Sequence, residues 1–262
     1  MIGLLRAEWI KLRTVTMNWV LGIIALAFPL VVTLLTAALT DNEVNEVSDG
    51  RVVGGLDTEG LISVLTGTTV VSALLCGVIA AASITSEFGF GTIRPTFAAT
   101  PQRTRVIIAK GLVVCAATTV LATVVQIVGW FVGSALATGQ GATIDLDEVP
   151  TGLPAMVGVV VLTALMSLAG YGLGLIVRST PAAVSILIVW PLIAEGLVGQ
   201  LLVLIFGSDT IASWMPFQAG IRLAIVDLFD DGPGRLTSGV YFGAVALVLA
   251  VVGGALVNRR DA

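Results

Sequence analysis

Apolar positions in this chain do not alternate with polar ones; they run in blocks. Six blocks reach or approach membrane-spanning length: Met17 to Leu39, Leu61 to Ile84, Gly111 to Leu136, Pro154 to Val177, Pro181 to Phe206 and Ser238 to Val257. A helix crossing about 30 Å of hydrocarbon at about 1.5 Å per residue needs roughly 20 apolar residues. Each block therefore predicts one spanning helix. The fourth and fifth blocks are separated only by Arg178, Ser179 and Thr180 ahead of Pro181. A charge at a helix centre costs about 2.5 to 3.5 kcal/mol on insertion scales, so Arg178 marks an interface and divides two spans. The prediction is an all-α integral membrane protein, a single transmembrane domain over residues 1–262, with both termini on one side.

The segments between the blocks have patterns of their own. In residues 1–14, Ile2, Leu5, Trp9 and Leu12 recur at helical spacing while Arg6, Glu8, Lys11 and Arg13 fall largely elsewhere. This predicts an amphipathic helix lying at the bilayer interface, against the simpler reading of a charged anchor. Between the second and third blocks, Gly89, Gly91 and Pro95 are expected to end the helix, "TIRPTFAA" to form a short helical piece, and Thr100 and Pro101 to cap and open the next helix. The result is an elbow over residues 86–105. Residues 208–234 are too apolar for an ordinary loop, and as a span they would carry Arg222 and Asp227 through lipid. A re-entrant or interfacial hairpin of short helices fits better.

Composition agrees with the pattern. Hydrophobic residues make up 56% of the 262 and charged residues 11%, and mean hydropathy is +1.04, far from the soluble range of roughly half apolar and a quarter charged. The net charge of −4 conceals an asymmetry. Arg6, Lys11, Arg13, Arg94, Arg103, Arg105, Lys110, Arg178, Arg259 and Arg260, ten of the 13 cations, fall on one side of the predicted topology, and the opposite loops are acidic. The positive-inside rule makes the basic side cytoplasmic. No nucleic-acid partner is implied. The opening "MIGLLRAEWIKLR" lacks a small-residue cleavage site after a short apolar core, so the first block is expected to remain in the protein.

Several chemistries drop out. Without histidine, the HExxH and Cys/His zinc motifs, the Ser-His-Asp triad and Cys-His nucleophiles are excluded. Lys11 and Lys110 lack the glycines of a phosphate-binding loop. Cys76 and Cys115 lie inside apolar blocks without metal-ligand spacing and read as small buried hydrophobes. Glu195 is the one acid inside the six blocks; at that depth an ionisable group suggests a substrate-path or gating role, or else a carboxyl hydrogen-bonded within the bundle. Gly129 and Gly133, and Gly170, Gly172 and Gly174, permit close helix approach, read as ordinary packing rather than a dimer seam.

The elbow carries a resemblance. "SEFGFGTIR", "PQRTR" and "AK", between Ser86 and Lys110, resemble the membrane subunits of type 2 ABC exporters, the six-span permeases common in bacteria. The resemblance implies that residues 86–105 contain a coupling helix seated in a groove of a separate cytoplasmic ABC ATPase subunit. That subunit would hold ATP and Mg, with no cofactor in this chain. It assigns Glu87, Phe88, Gly91, Thr92 and Arg94 to forming or bracing that contact. Arg103 and Arg105 are assigned either to it or to lipid headgroups. It further implies a dimer of permeases, homo- or heteromeric, in the cell (inner) membrane. The competing reading is a secondary transporter or channel working alone through Glu195. A membrane enzyme or scaffold would need a catalytic constellation or docking domain that the sequence lacks.

Overall fold

The computed structural model describes residues 2–40, 47–48, 51–52, 56–99, 102–139, 141–207, 212, 214–225 and 234–260. Among the described residues, six helical stretches are long and apolar enough to cross a membrane. In chain order the α-helices are α1 (Ile2–Thr14), α2 (Thr16–Leu39), α3 (Thr58–Gly89), α4 (Ile93–Ala99), α5 (Arg103–Gly139), α6 (Gly152–Val177), α7 (Thr180–Val189), α8 (Glu195–Phe206), α9 (Pro216–Ile221) and α10 (Arg235–Arg260). A π-helical turn, Trp190–Ala194, joins α7 to α8, and those three pieces together make span five. A two-residue β-ribbon pairs Val47–Ser48 with Arg51–Val52. The expected cap at Thr100 and Pro101 lies outside the described residues, as do 208–211, 213 and 226–233 of the predicted hairpin.

Spans two and four, α3 and α6, form the centre. In each, 61% of the most apolar stretch is buried, against 22% in spans one, five and six. The lipid-facing helices thus keep most of their apolar surface outward, where hydrocarbon rather than protein solvates it. The glycines of α6 make the central contact possible. Residues two apart on a helix point about 200° apart, and residues four apart about 40°. Gly170 and Gly174 accordingly face α3, where a Cβ would sit 2.2 Å from the Gly77 carbonyl oxygen and 2.7 Å from Ile84 Cγ2. Gly172 faces the opposite way, onto the backbone of Ala250 in α10. Gly129 and Gly133 of α5 receive the Leu65 and Leu61 side chains of α3. All these glycines are packed within one chain, in agreement with the ordinary-packing expectation.

α3 and α5 extend beyond their apolar blocks, to Gly89 and from Arg103. Their extra turns carry Glu87 and Lys110, which lie within helix rather than in loop. These ends gather with others at one end of the bundle, here called the basic end. The Thr85 and Thr180 hydroxyls hydrogen-bond at 2.7 Å, and Asn258 donates to Thr104 Oγ1 at 3.2 Å. At the opposite end the Asp145 amide donates to Thr58 Oγ1 at 3.0 Å, beside a small core of Ala37, Leu56, Leu61 and Ala137.

α1 turns one side to the bundle and the other outward. Ile2 and Trp9 are exposed, at 84% and 44%, while Leu4 and Leu12 pack on the core at the basic end and Glu8 between them is 3% exposed. Leu4, Glu8 and Leu12 are spaced by four and so share one stripe. That stripe, not the one through Ile2 and Trp9, meets the bundle. α1 ends where Val15 turns extended. Its unpaired C-terminal carbonyls are satisfied from the next helix: Asn18 Nδ2 donates to Leu12 O at 3.1 Å and Trp19 Nε1 to Arg13 O at 2.7 Å.

Candidate functional site

The elbow is built at the end of α3. The Phe90 amide donates to Ser86 O at 2.9 Å, and the Gly91 amide to Phe88 O at 3.2 Å. Gly91 then takes φ of 69°, the left-handed conformation open to glycine at little cost. The chain turns there and starts α4. Ile93 and Phe97 of α4 are buried, at 6% and 8% exposed, in a cluster with Val106, Ile107, Leu175 and Val257. Pro95 falls inside the short helical piece expected after the break, at the third position of α4, within the first turn, where its missing N–H costs no internal hydrogen bond.

Beneath the elbow lies a network of four charges. Lys110, 7% exposed at its side chain, pairs with Glu8 and, at 2.9 Å, with Glu87. Lys11 pairs with Glu8 at 2.9 Å and Glu87 at 3.0 Å. Each cation meets both carboxylates and each carboxylate both cations. The arrangement joins α1, α3 and α5 at their basic ends and sums to zero charge. Tyr171 of α6 lies close by and donates from its hydroxyl to Ile107 O at 2.8 Å. A cavity of about 720 Å³ opens beside the network, with Asn18, Ser83, Ser86 and Thr180 among its walls.

Burial acts to raise the Glu8 carboxyl, but Lys110 and Lys11 outweigh it and hold the group below its ordinary value of 4.5. A depressed folded-state pKa gives stability that is present above the unfolded value and lost as pH falls through the folded one. The unfolding temperature of the purified protein should therefore drop on acidification below about pH 4.5. Glu8→Gln should flatten that drop, and an unchanged acid limb in a thermal melt would remove Glu8 as its source.

The expected coupling residues divide into two groups. Glu87 is 8% exposed and spent on the lysines. Phe88 packs on the core cluster with the Arg178 guanidinium 4.7 Å from its ring centroid, a cation–π distance. Arg103 sits 5.6 Å from the Phe97 ring centroid. Gly91, Thr92 and Arg105 are exposed. Arg94 is on α4, with a side chain outside the described set. Glu8 and Lys11 do not stand out as site residues in the sequence, although an acid in the Leu4, Glu8, Leu12 stripe is a readable signal. Phe90, 84% exposed at the tip of the elbow, does not stand out either.

Glu195 is elsewhere, inside span five and 1% exposed. Oε1 accepts from the Phe217 amide at 3.0 Å and from Trp190 Nε1 at 3.2 Å. Oε2 accepts from the Phe217 and Gln218 amides, both at 3.0 Å. The carboxylate thus caps α9, satisfying amides that the short helix leaves unpaired.

Six apolar helices around a glycine-packed centre, with a buried charge network at one end, define a multi-pass membrane protein. The family model described as ABC-2 family transporter protein matches residues 4–206, which takes in α1, the elbow, the charge network and the first five spans. The chain belongs to that family and is an ABC-2 type permease, the membrane component of an ABC transporter. A search of curated proteins finds no match to it.

Proposed function

We propose that this permease is the membrane half of an ATP-driven bacterial exporter, dimeric and driven by a separate cytoplasmic ABC ATPase that binds ATP and Mg. The observation that carries the reading is the elbow. An aromatic side chain, Phe90, stands 84% exposed on a turn whose base is locked by buried ion pairs. A rigid mount with an exposed aromatic tip is what a partner subunit needs in order to move a membrane helix, and aromatic anchors carry much of the energy of such contacts. The chain has no phosphate-binding loop of its own, which supports the same division of labour.

On this reading the basic end is cytoplasmic, both termini lie there, and the protein resides in the cell (inner) membrane. α1 is the interfacial helix and α4 with the preceding turn is the coupling segment. Phe90, Gly91, Thr92 and Arg94 meet the ATPase, whereas Glu87, Phe88 and Arg103 brace the elbow from behind and exposed Arg105 faces headgroups. Closure of the ATPase dimer on ATP moves the elbow, and the ion network passes that displacement to α1, α3 and α5 together, opening the path between the two permeases to the far side. Residues 212 and 214–225 belong to a re-entrant segment. The bond from Glu195, midway along span five, to the Phe217 amide supports that depth.

Phe90→Ala should weaken binding of the cognate ATPase about tenfold or more and abolish most of its stimulation in proteoliposomes. The unfolding temperature should stay that of the parent, since the side chain packs on little. Equal affinity for the ATPase would sink the assignment.

A further inference from the structure

The two halves of span five are attached to different parts of the molecule. α7 packs on α3 through Ala183 and Leu187 against Val78 and Ala81. In α8 the buried residues are Glu195 and Gly199, and both face the segment after span five. Glu195 accepts the Phe217 and Gln218 amides. A Cβ on Gly199 would lie 3.3 Å from Ala212 Cβ and 3.9 Å from Met215 Cγ. The remaining large side chains of α8, among them Leu197, Leu201 and Leu204, point outward.

That segment is itself firmly held. The Phe217 ring lies 5.3 Å from Phe242 of α10, and Leu223 and Ala224 belong to a core cluster with Val159 and Leu162 of α6. Between the two attachments comes the π-turn Trp190–Ala194, which contains Pro191. A π-turn and a proline both interrupt the regular hydrogen-bond ladder, and a helix bends most easily there.

We propose that Glu195 is a positioning residue that keeps α8 fastened to Ala212, Met215, Phe217 and Gln218 throughout the transport cycle, leaving the π-turn at 190–194 as the hinge of span five. Its carboxylate is fully engaged by main-chain and indole donors, so it works as a fixed joint and not as a substrate ligand. Its two oxygens hold two amides and an indole at once. Losing it leaves those half-buried amides without their acceptor. The proposal rests on the transport reading above, because it concerns which parts move when the permease turns over.

The test uses the permease reconstituted with its ATPase, carrying Gly199→Cys and Ala212→Cys, with Cys76 and Cys115 replaced by Ala. The two introduced thiols should oxidise readily, and oxidised and reduced complexes should transport and hydrolyse ATP within about twofold of each other. If oxidation stops transport and a reductant restores it, α8 parts from the segment in each cycle and the proposal is overturned. Adding Glu195→Ala should lower the cross-linking yield about tenfold, and Glu195→Gln, which retains one acceptor oxygen, should recover part of it. An unchanged yield in Glu195→Ala would also overturn it. Cross-linking yield is read without ATP, so a permease that fails to couple to any ATPase refutes the transport reading while the joint itself is still measured.

Discussion

Lys110→Met lowers the stability of the detergent-solubilised permease by about 3 to 5 kcal/mol, the cost of removing one partner from a buried ion pair. Lys110 is 6% exposed and faces two carboxylates, Glu8 and Glu87, which are 3% and 8% exposed. Without it those two negative charges remain in a low-dielectric site with half-exposed Lys11 as their cation. Methionine keeps the length and apolar stem of lysine, so the loss reports charge rather than a cavity. Adding Glu87→Gln removes one of the stranded charges, and the double variant should be markedly more stable than the sum of the single losses. Strict additivity, or a Lys110→Met melt within about 1 kcal/mol of the parent, would mean that the network contributes no more than surface pairs do. The same variant should uncouple ATP hydrolysis from transport at temperatures where it is still folded, because α1, α3 and α5 no longer move as one.

Gly170→Val should prevent accumulation of folded protein altogether. The new Cβ would sit 2.2 Å from the Gly77 carbonyl oxygen and 2.9 Å from its carbonyl carbon. These are backbone atoms that no rotamer change can move. Accommodation requires spans two and four to separate along their length, breaking the most buried contact in the molecule, and the penalty exceeds the usual overpacking cost of about 1 to 3 kcal/mol. Gly67→Ala is the control: a Cβ there meets nothing within 4 Å, and the helix gains about 1 kcal/mol of propensity at most. Comparing membrane-inserted yield and detergent melting of the two separates a packing requirement from a general intolerance of change in these helices. Equal yields would show that spans two and four are not in close contact.

The apolar blocks determined the spans by themselves. Burying some 20 apolar residues in hydrocarbon leaves an α-helix as the form a single segment can take, since every backbone group must be paired internally. Six blocks therefore mean six helices whatever their neighbours do. The turn at Gly91 and the division at Arg178 were likewise local. One depends on a conformation that glycine adopts freely; the other depends on the cost of a charge in lipid.

What needed the tertiary structure was every pairing between distant charges. Glu8, Lys11, Glu87 and Lys110 are spread over three helices, and no single helix's pattern shows that all four converge. Only their convergence makes them a buried neutral network. The face α1 turns inward was decided in the same way. The stripe containing Glu8 is inward, with Lys110 opposite it, a gain no single-helix pattern can express. Glu195 is the converse case. Its depth in span five was legible and left open a substrate-path or gating role or a carboxyl hydrogen-bonded within the bundle; its partners include the backbone amides of Phe217 and Gln218, groups that every residue but proline carries. Sequence periodicity determines which segments leave water for lipid, because that transfer depends on each segment's own composition; where a charge finds its counter-charge or its donor depends on the fold that brings remote helices together.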